Sequence, residues 1–582
     1  MKDFVKMTLA VICGLFIVSV LSLILTFGAI GGIAAAGSVQ QPMPKSGILK
    51  IDLSSMVMCE NAPASDPLSV INGAKVESIQ LLRAVKAVKA AAADPAVKCI
   101  YILPDNSANA SLASLEELRK ALEFFRESGK PVVAYTEAPS TGGYYLASVA
   151  DKVYMTSHIG ASQMLTGVSS QLIFLKDLLD KLGVNVQLIR HGKYKSAGEM
   201  FVRSSSSPEN MEQNQEMINS IWNTIATQMA QSRDITVDEI NAAIDGLKLV
   251  GPQDFIDCKL VDELLTTEQL KSKLATLAGV EKYKDVKFMD LPAYAGAKLL
   301  PSKIEKRSIA VIYADGQIVD GKEAEQVAGD RFASVIAKVR ADSTVKAVVL
   351  RVNSPGGSVL ASEKIKAELD LLGQTKPLVA SYGDYAASGG YWISNNCEKI
   401  FSDAVTLTGS IGVFSAIPDI SGTLHNVVHV TITPVNSNRH GDMYSMTRPL
   451  DAAEQDYLHK SIETVYDRFV SIVSEGRGLD PEYVDEIGQG RVWTGAEAEK
   501  KGLVDEIGTL SDAIHWAAIA VGSDDPDSWA VTEYPAPMTA FQQIIAKMVG
   551  VPSEEEVLAS MVKDIKVRKD IAIMPYEVRL NF

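Results

Sequence analysis

The sequence Leu-Arg-Val-Asn-Ser-Pro-Gly-Gly at residues 350–357 decides the fold, because it leads from a strand-like apolar run into a helix through a glycine turn. Such a junction exposes backbone N–H groups at the helix N-terminus, where they can hold an anion. The stretch ends at Thr-Gly-Ser-Ile-Gly, residues 408–412, so Ser410 lies in a second glycine-flanked turn. The sequence therefore predicts Ser410 as a candidate nucleophile, with the N–H groups of Gly356 and Gly357 as candidate oxyanion donors.

The regions on either side of this stretch indicate an α/β protein with an internal duplication. From Gly47 onward, short β-branched runs alternate with helical periods. Asp-Ser-Thr-Val-Lys at 342–346 repeats Asp-Pro-Ala-Val-Lys at 94–98, and Gly-Gly-Tyr-Trp at 389–392 repeats Gly-Gly-Tyr-Tyr at 142–145. A repeat this long is a duplicated domain rather than a solenoid. We expect two tandem units, residues 37–300 and 301–528, followed by a tail at 529–582.

Periodicity also predicts the individual elements. The sequence favours helices at 78–93 and 115–128, and long amphipathic helices at 209–233 and 451–475. It favours strands at 97–103 and 131–135, a linker at 292–307, and a partly structured tail beyond Trp529. His425 and His429 lie in a Val-rich stretch that is typical of a packed strand rather than of a metal site.

Composition excludes some functions. The net charge is -15 and the pI is about 5.1, which argues against a nucleic-acid partner. The cysteines form no CxxC pair and the histidines no HExxH motif, so neither a zinc site nor a disulfide scaffold is indicated. We expect no metal and no cofactor.

Residues 7–36 contain no charged side chain. A helix of that length reaches roughly 45 Å and can cross a bilayer with some tilt. Lys2 and Lys6 precede the segment, so residues 1–6 should stay cytoplasmic and the bulk of the chain should be exported. A signal peptide cleaved after Ala36 is the alternative, but the apolar run is long for one.

The two halves have lost complementary residues. Residues 400–459, around Ser410, contain no lysine, whereas the first half has Lys195 in His-Gly-Lys-Tyr-Lys-Ser-Ala-Gly-Glu-Met-Phe, residues 191–201. The repeat places Gln163 opposite Ser410, and the first half has no glycine pair at residues 104–108. A shared site at the junction explains both losses. Lys195 can act as general base if desolvation lowers its pKa from about 10.4 toward neutrality.

Other interpretations of these residues stay open. Ser388 is a competing nucleophile with His440 as its conceivable base, although its counterpart in the first half is Thr141. Lys193 is as ionisable as Lys195. If Glu199 pairs with Lys195, the pKa of the lysine rises and the base is lost.

These motifs together resemble the long, duplicated form of the signal peptide peptidase A family of serine–lysine peptidases. The resemblance runs from the anchor to about Gly508, and its specific parts are Tyr-Lys-Ser-Ala at 194–197, Asn-Ser-Pro-Gly-Gly at 353–357, Ser-Gly-Gly-Tyr at 388–391 and Thr-Gly-Ser-Ile-Gly at 408–412. It implies tandem units with a Clp protease/crotonase-like fold, Ser410 as nucleophile and Lys195 as base. It also implies a homotetramer on the outer face of the inner membrane that degrades released signal peptides.

We therefore expect a membrane-anchored serine endopeptidase that acts on hydrophobic peptides. Two alternatives remain at this point. A crotonase-like acyl-transfer enzyme would use the glycine N–H groups without Ser410, and a catalytically inactive membrane scaffold would need neither.

Overall fold

The computed structural model describes residues 43–61, 76–107, 110–160, 164–299, 307–323, 326–535 and 571–573. The predicted cytoplasmic N-terminus at 1–6, the anchor at 7–36 and Gln163 lie outside these ranges. Within them, no helix combines the length and the apolar character that a membrane crossing requires. The four cysteines that the structure describes are free thiols.

The first half of the chain builds a parallel six-stranded sheet in the order β8-β6-β5-β4-β1-β9. Its central strands are buried, as expected for a parallel sheet covered by helices. The strands of this half are β1 (Gly47–Asp52), β2 (Met56–Cys59), β3 (Glu77–Gln80), β4 (Val97–Leu103), β5 (Val132–Thr136), β6 (Lys152–Thr156), β7 (Asn185–His191), β8 (Glu263–Leu265) and β9 (Phe288–Asp290).

The second half repeats this order. Its strands pair as β20-β16-β15-β13-β10-β21, again all parallel, while β17 and β19 extend the sheet beside the far end of β15. The strands are β10 (Ser308–Asp315), β11 (Ile318–Val319), β12 (Val327–Ala328), β13 (Val345–Ser354), β14 (Gly356–Ser358), β15 (Leu378–Ala387), β16 (Lys399–Ser402), β17 (Leu407–Gly409), β18 (Val413–Asp419), β19 (Val492–Thr494), β20 (Glu506–Ile507), β21 (Ala530–Tyr534) and β22 (Ile571–Ile573).

A third sheet joins the halves. Its order is β12-β11-β14-β22-β18-β7, so β7 of the first half lies in a sheet whose other strands come from the second half. Strands β7 and β18 are antiparallel, with His191 opposite Val413 and Asn185 opposite Asp419. Behind this ladder a small buried core combines both halves, formed by Ile189, Val413, Ile417, Leu450, Leu458 and Ile462.

Helices cover the sheets. Those of the first half are α1 (Leu81–Ala93), α2 (Leu112–Glu127), α3 (Thr141–Ala147), α4 (Lys176–Lys181), α5 (Glu199–Val202), α6 (Pro208–Arg233), α7 (Val237–Asp245), α8 (Pro252–Asp257), α9 (Thr267–Ala278) and α10 (Leu291–Lys298). Those of the second half are α11 (Gly329–Ala341), α12 (Val359–Gly373), α13 (Gly389–Ser394), α14 (Ala452–Arg477), α15 (Pro481–Ile487), α16 (Gly495–Lys500) and α17 (Leu510–Ala520).

The long helices begin as their sequences predict. Ser207 caps α6 by accepting the N–H of Asn210, and Pro208 takes the first position. In α14, Asp451 and Glu454 form a reciprocal capping box. The strand expected at 97–103 is β4, with the same bounds.

Three expectations differ from the structure. The helix expected from residue 78 begins only at Leu81, because the preceding residues pair with β2 as strand β3. The expected linker contains α10, which accepts Pro292 in its first turn. The strand expected around His425 and His429 is wrong, since this stretch is an exposed π-helical turn followed by irregular chain. The tail beyond Trp529, which was expected to be partly structured, begins with β21, which pairs with β10 as β9 pairs with β1.

Candidate active site

The β7–β18 ladder brings the predicted base to the predicted nucleophile. Strand β7 ends at His191, and the chain then turns at Gly192, with a φ of 97°, into Lys195. Strand β18 begins at Val413, directly after the turn that carries Ser410. Because His191 and Val413 are partners in the ladder, the two functional turns leave the same end of the sheet.

Lys195 is completely buried and directed at three oxygen atoms. Its Nζ lies 3.0 Å from Ser410 Oγ, 3.0 Å from the Ser410 carbonyl oxygen and 2.8 Å from Ser388 Oγ. Among the described residues, no carboxylate is bonded to this amine. Burial away from water lowers the pKa of Lys195 well below its ordinary value of 10.5.

The side chains of Lys193 and Glu199, which lie near Lys195 in sequence, contact other groups and not the Lys195 amine. Lys193 is exposed, and its Nζ lies over the Tyr194 ring. Glu199 is buried but forms an ion pair with Arg190, at 3.0 Å, and accepts a hydrogen bond from the Ser207 hydroxyl at 2.7 Å. Glu199 therefore does not supply the counter-charge that would raise the pKa of Lys195.

Ser410 occupies a backbone conformation that is rare for a residue with a side chain. Its φ is 51°, and it lies between β17 and β18. Its N–H donates to the Arg491 carbonyl at 2.7 Å, and its side chain is fully buried. Residues held in such conformations concentrate at functional sites, because the surrounding structure must fix them.

The loop at 488–491 is a part of the site that sequence reasoning missed. The carbonyl of Gln489 accepts the N–H of Tyr194, while the N–H of Gly490 donates to the Ile411 carbonyl. The loop thus bonds to the lysine turn on one side and to the serine turn on the other. Its Gly-Gln-Gly sequence indicates a turn, but a turn signal alone does not show which segments of the chain the turn contacts.

Ser388, the rival nucleophile, contacts the same amine. It is fully buried between β15 and α13, and Lys195 Nζ donates to its hydroxyl. His440, its conceivable base, instead bonds to Glu454 through Nδ1 at 2.8 Å. The structure therefore brings Ser388, Ser410 and Lys195 together and places His440 in a different cluster.

Comparison with known proteins gives the family. The profile described as Peptidase family S49 matches residues 124–281 and 370–524. Protease 4 of Haemophilus influenzae is 35% identical over 515 residues, which cover 85% of this chain and 83% of the relative. The chain belongs to peptidase family S49. It is a serine protease.

A further relative and a solved structure are also similar. The chloroplastic serine protease SPPA of Arabidopsis thaliana is 30% identical, over 73% of this chain and 63% of that protein. ClpP1 from Listeria monocytogenes aligns with 35% of this S49 peptidase and 92% of its own chain, at 17% identity. Its TM-score is 0.23, so no argument rests on this likeness.

The glycine pair of the S49 peptidase differs from the sequence expectation. Gly356 and Gly357 form strand β14 rather than a simple turn, and α12 starts after them with Ser358 as its cap. The N–H of Gly356 donates to Ser354 Oγ at 3.2 Å. Strand β14 pairs with β22, which in turn pairs with β18 at Phe414. The pair therefore belongs to the same sheet as the strand that follows Ser410.

One cluster in the described residues has ligand atoms that could surround a metal. Atoms of His440, Asp451 and Glu454 lie within 4.8 Å of one another. The guanidinium of Arg448 already binds Glu454, at 2.7 Å and 2.8 Å. The Arg448 guanidinium therefore already neutralises the buried Glu454 carboxylate. The cluster is an ion-paired cap of helix α14.

Proposed function

We propose that this S49 peptidase is a membrane-anchored endopeptidase in which Ser410 attacks the scissile carbonyl and Lys195 is the general base. The observation that supports the proposal is the 3.0 Å separation of Lys195 Nζ and Ser410 Oγ inside a fully buried site. Ser388 Oγ, which lies 2.8 Å from the same Nζ, is the alternative nucleophile. The substrates are hydrophobic peptides, including released signal peptides. The reaction uses no metal and no cofactor.

Burial makes the lysine a base at moderate pH. An amine that protein atoms bury completely, with no carboxylate bonded to it among the described residues, is easier to keep neutral, as the lowered pKa of Lys195 indicates. The neutral amine takes the hydroxyl proton of Ser410 while Oγ bonds to the carbonyl carbon. The resulting ammonium then gives its proton to the leaving nitrogen as the C–N bond breaks. The acyl-enzyme is hydrolysed by water that the same amine deprotonates.

The oxyanion needs N–H donors. The N–H of Ser410 itself is bonded to the Arg491 carbonyl. Gly356 and Gly357 remain our proposed donors, which is supported by their place in the sheet that contains β18. The N–H of Gly356 would have to leave Ser354 Oγ, to which it donates at 3.2 Å, in order to reach an oxyanion. A strong donor contributes roughly 3–4 kcal/mol to the lowering of the reaction barrier.

The membrane assignment rests on the uncharged segment at 7–36 and on Lys2 and Lys6 before it. This arrangement favours an inner-membrane protein with its catalytic units on the periplasmic side. Apolar peptides released within the bilayer would reach the enzyme at that surface. A homotetramer is part of the same proposal, through the family resemblance.

The proposal is tested by cleavage of a synthetic signal peptide and of a polar peptide of equal length by the full chain in detergent. We expect preferential cleavage of the signal peptide, and a loss of at least about 1,000-fold in Ser410→Ala and in Lys195→Ala. Lys193→Ala is the matched control and should retain activity, because its side chain is exposed.

Retained cleavage in Lys195→Ala, or a loss only in Lys193→Ala, would refute the lysine assignment. Retained cleavage in Ser410→Ala would refute the nucleophile. The anchor is tested separately, because the full chain should stay in the membrane pellet after an alkaline wash whereas a chain lacking residues 7–36 should not.

A further inference from the structure

The side-chain amide of Gln213, on helix α6, bonds to both sides of the turn that carries Lys195. Its Nε2 donates to the Tyr194 carbonyl at 3.0 Å and to Ser196 Oγ at 2.9 Å, and its Oε1 accepts the N–H of Val492 at 3.2 Å. We propose that Gln213 is a positioning residue, which holds the lysine turn of the first half in place against strand β19 of the second. This inference rests on the proposed role of Lys195 as general base, and it does not depend on which hydroxyl gives up its proton.

The two main-chain partners fix which way the amide faces. A carbonyl oxygen can only accept a hydrogen bond, and a backbone N–H can only donate one. If the amide were turned over, its oxygen would face the Tyr194 carbonyl and its NH2 group would face the N–H of Val492, so both bonds would be lost. In the observed orientation the oxygen and the NH2 group of Gln213 both have partners, as a side chain that is only 3% exposed requires.

Val492 lies in the strand beside the serine turn. Strand β19 pairs antiparallel with β17, and Val492 is opposite Gly409 in that ladder. The residue before it, Arg491, accepts the N–H of Ser410 at its carbonyl, at 2.7 Å. The amide of Gln213 therefore joins the lysine turn to the strand that holds the serine turn.

The lysine turn needs such a support. Residues 192–198 lie between β7 and α5 and are part of neither a helix nor a strand. The position of Lys195 therefore depends on bonds such as those from Gln213 and the one that Arg190 donates to the Lys195 carbonyl at 3.0 Å. A general base must stay within hydrogen-bond reach of the proton it takes. A loosened turn would also let water reach the amine and raise its pKa, because burial is what lowers that pKa.

The second half of the chain provides an internal comparison. Helices α6 and α14 are counterparts in the repeat, and their caps are Ser207 and Asp451. Six residues after the cap, α6 has the buried Gln213, whereas α14 has Tyr457, which is 62% exposed. A buried amide at this position is therefore not a requirement of the helix. It occurs in the half that carries the lysine.

The first test is Gln213→Met, measured as kcat and KM for peptide cleavage by the full chain. Methionine has a similar length, but it cannot donate to the Tyr194 carbonyl, and its sulfur is only a weak acceptor for the N–H of Val492. We expect kcat to fall by about 10- to 100-fold, since a small displacement of a catalytic group can cost that much, while KM changes less than about twofold. The acidic limb of the kcat/KM profile should move to higher pH, because an amine that water reaches has a pKa closer to its ordinary value.

Gln228→Met is the matched control. Gln228 lies on the same helix, and its Oε1 accepts a hydrogen bond from the buried Tyr145 hydroxyl at 2.6 Å, within the first half. The substitution therefore removes a hydrogen-bond partner of a buried group without touching the lysine turn. Its kcat and acidic limb should be those of the wild type. Thermal unfolding of both methionine variants checks that each is folded.

Gln213→Glu separates the placing of the lysine from the filling of space. The carboxyl group has nearly the shape of the amide, and one oxygen can still accept the N–H of Val492, but a carboxylate cannot donate to the Tyr194 carbonyl. It also adds a buried negative charge beside the lysine turn, which favours the ammonium form of Lys195. The acidic limb should therefore lie at a higher pH than in Gln213→Met.

The inference is overturned if a folded Gln213→Met variant keeps the kcat and the acidic limb of the wild type. It is equally overturned if Gln213→Met and Gln228→Met lose the same kcat with an unmoved limb, since lost stability alone has that effect. If instead Lys195→Ala still cleaves the peptide, the proposed function itself has failed, whatever the Gln213 variants do.

Discussion

The stem of Lys195 reaches Ser410 between two glycines. A Cβ built on Gly490 would lie 2.5 Å from the Lys195 Cβ, and one on Gly412 would lie 2.7 Å from the Gly490 Cα and 3.2 Å from the Lys195 Cδ. Contacts under about 3 Å cannot be accommodated without moving one partner, and each partner here includes backbone or the base itself. The bare backbone at these glycines is therefore a condition for the geometry of the site.

Gly490→Ala tests this condition. The added methyl should push Lys195 away from Ser410 and lower kcat by at least about 100-fold, since misplacement of about 1 Å can cost that much. Gly522→Ala is the control, because Gly522 has a φ of 77°, close to the 79° of Gly490, and no atom within 4 Å of its added Cβ. Both variants should lose about 1 kcal/mol of stability from backbone strain, measured by thermal unfolding, and Gly490→Ala should lose more because its methyl also clashes with Lys195. Equal kcat values for the two variants would show that Gly490 makes no special room for the lysine.

At the residue scale, sequence reasoning found the chemical groups but not all their contacts. Lys195 and Ser410 stood out because each lies in a motif and each half lacks the other's group. Ser388 was weighed as a nucleophile, and nothing in its motif shows that its hydroxyl lies 2.8 Å from the lysine. The Gln489 and Gly490 contacts use backbone atoms, which every residue has. The residue types in the sequence therefore could not indicate these contacts.

At the scale of elements, the seven-residue ladder of β7 and β18 aligns the two turns. Beside it, β22 from the tail occupies the position between β14 and β18. That is where an extended peptide could add to the exposed strand edges near Ser410. Ser410 is fully buried in this arrangement.

Shortening the chain to end at Pro535 removes β22 and retains β21. We expect kcat/KM for hydrophobic peptides to rise several-fold, because the edges of β14 and β18 become free to pair with substrate. In the full chain, Ala572→Pro should give a smaller rise, since proline removes a backbone donor from the ladder. The measurement is a peptidase assay on both variants, and thermal unfolding checks that each is folded. An unchanged or lower kcat/KM in a folded shortened chain would contradict the expectation.

Elements with a clear internal pattern were predicted well, and those that depend on pairing were not. Strand β4 and the two long helices have strong periodicity and caps, so local sequence suffices for them. Strands β3, β14 and β22 are short and exist through distant partners, so composition could not indicate them. Strand β21 lacks such a pattern too, yet it takes the place in the second sheet that β9 takes in the first.

At the scale of the whole molecule, the active site is a product of how the halves are joined. Besides the third sheet, a buried ion cluster ties them, in which Arg351 of the second half binds Glu60 at 2.7 Å and 2.9 Å and Glu117 at 2.8 Å. Breaking such a buried cluster typically costs about 3–5 kcal/mol of folding free energy. This cluster therefore crosses the same seam at which a lysine from one half meets a serine of the other.

Duplication explains this arrangement. Each half contains the same order of parallel strands, and each could be expected to carry a complete site. Instead the serine turn belongs to one half and the lysine turn to the other. In the proposed mechanism one base and one nucleophile per chain are enough, because the seam brings both to a single place.

The most direct test is the labelling of the full chain by a fluorophosphonate probe over a range of pH, with the modified residue identified by mass spectrometry. The account predicts a single label on Ser410. The labelling rate should fall as pH falls through the pKa of Lys195, which lies well below 10.5, because the protonated amine cannot accept the Ser410 proton. In Lys195→Ala the label should be lost. A label on another serine, or a rate on Ser410 that neither pH nor the loss of Lys195 changes, would contradict the account.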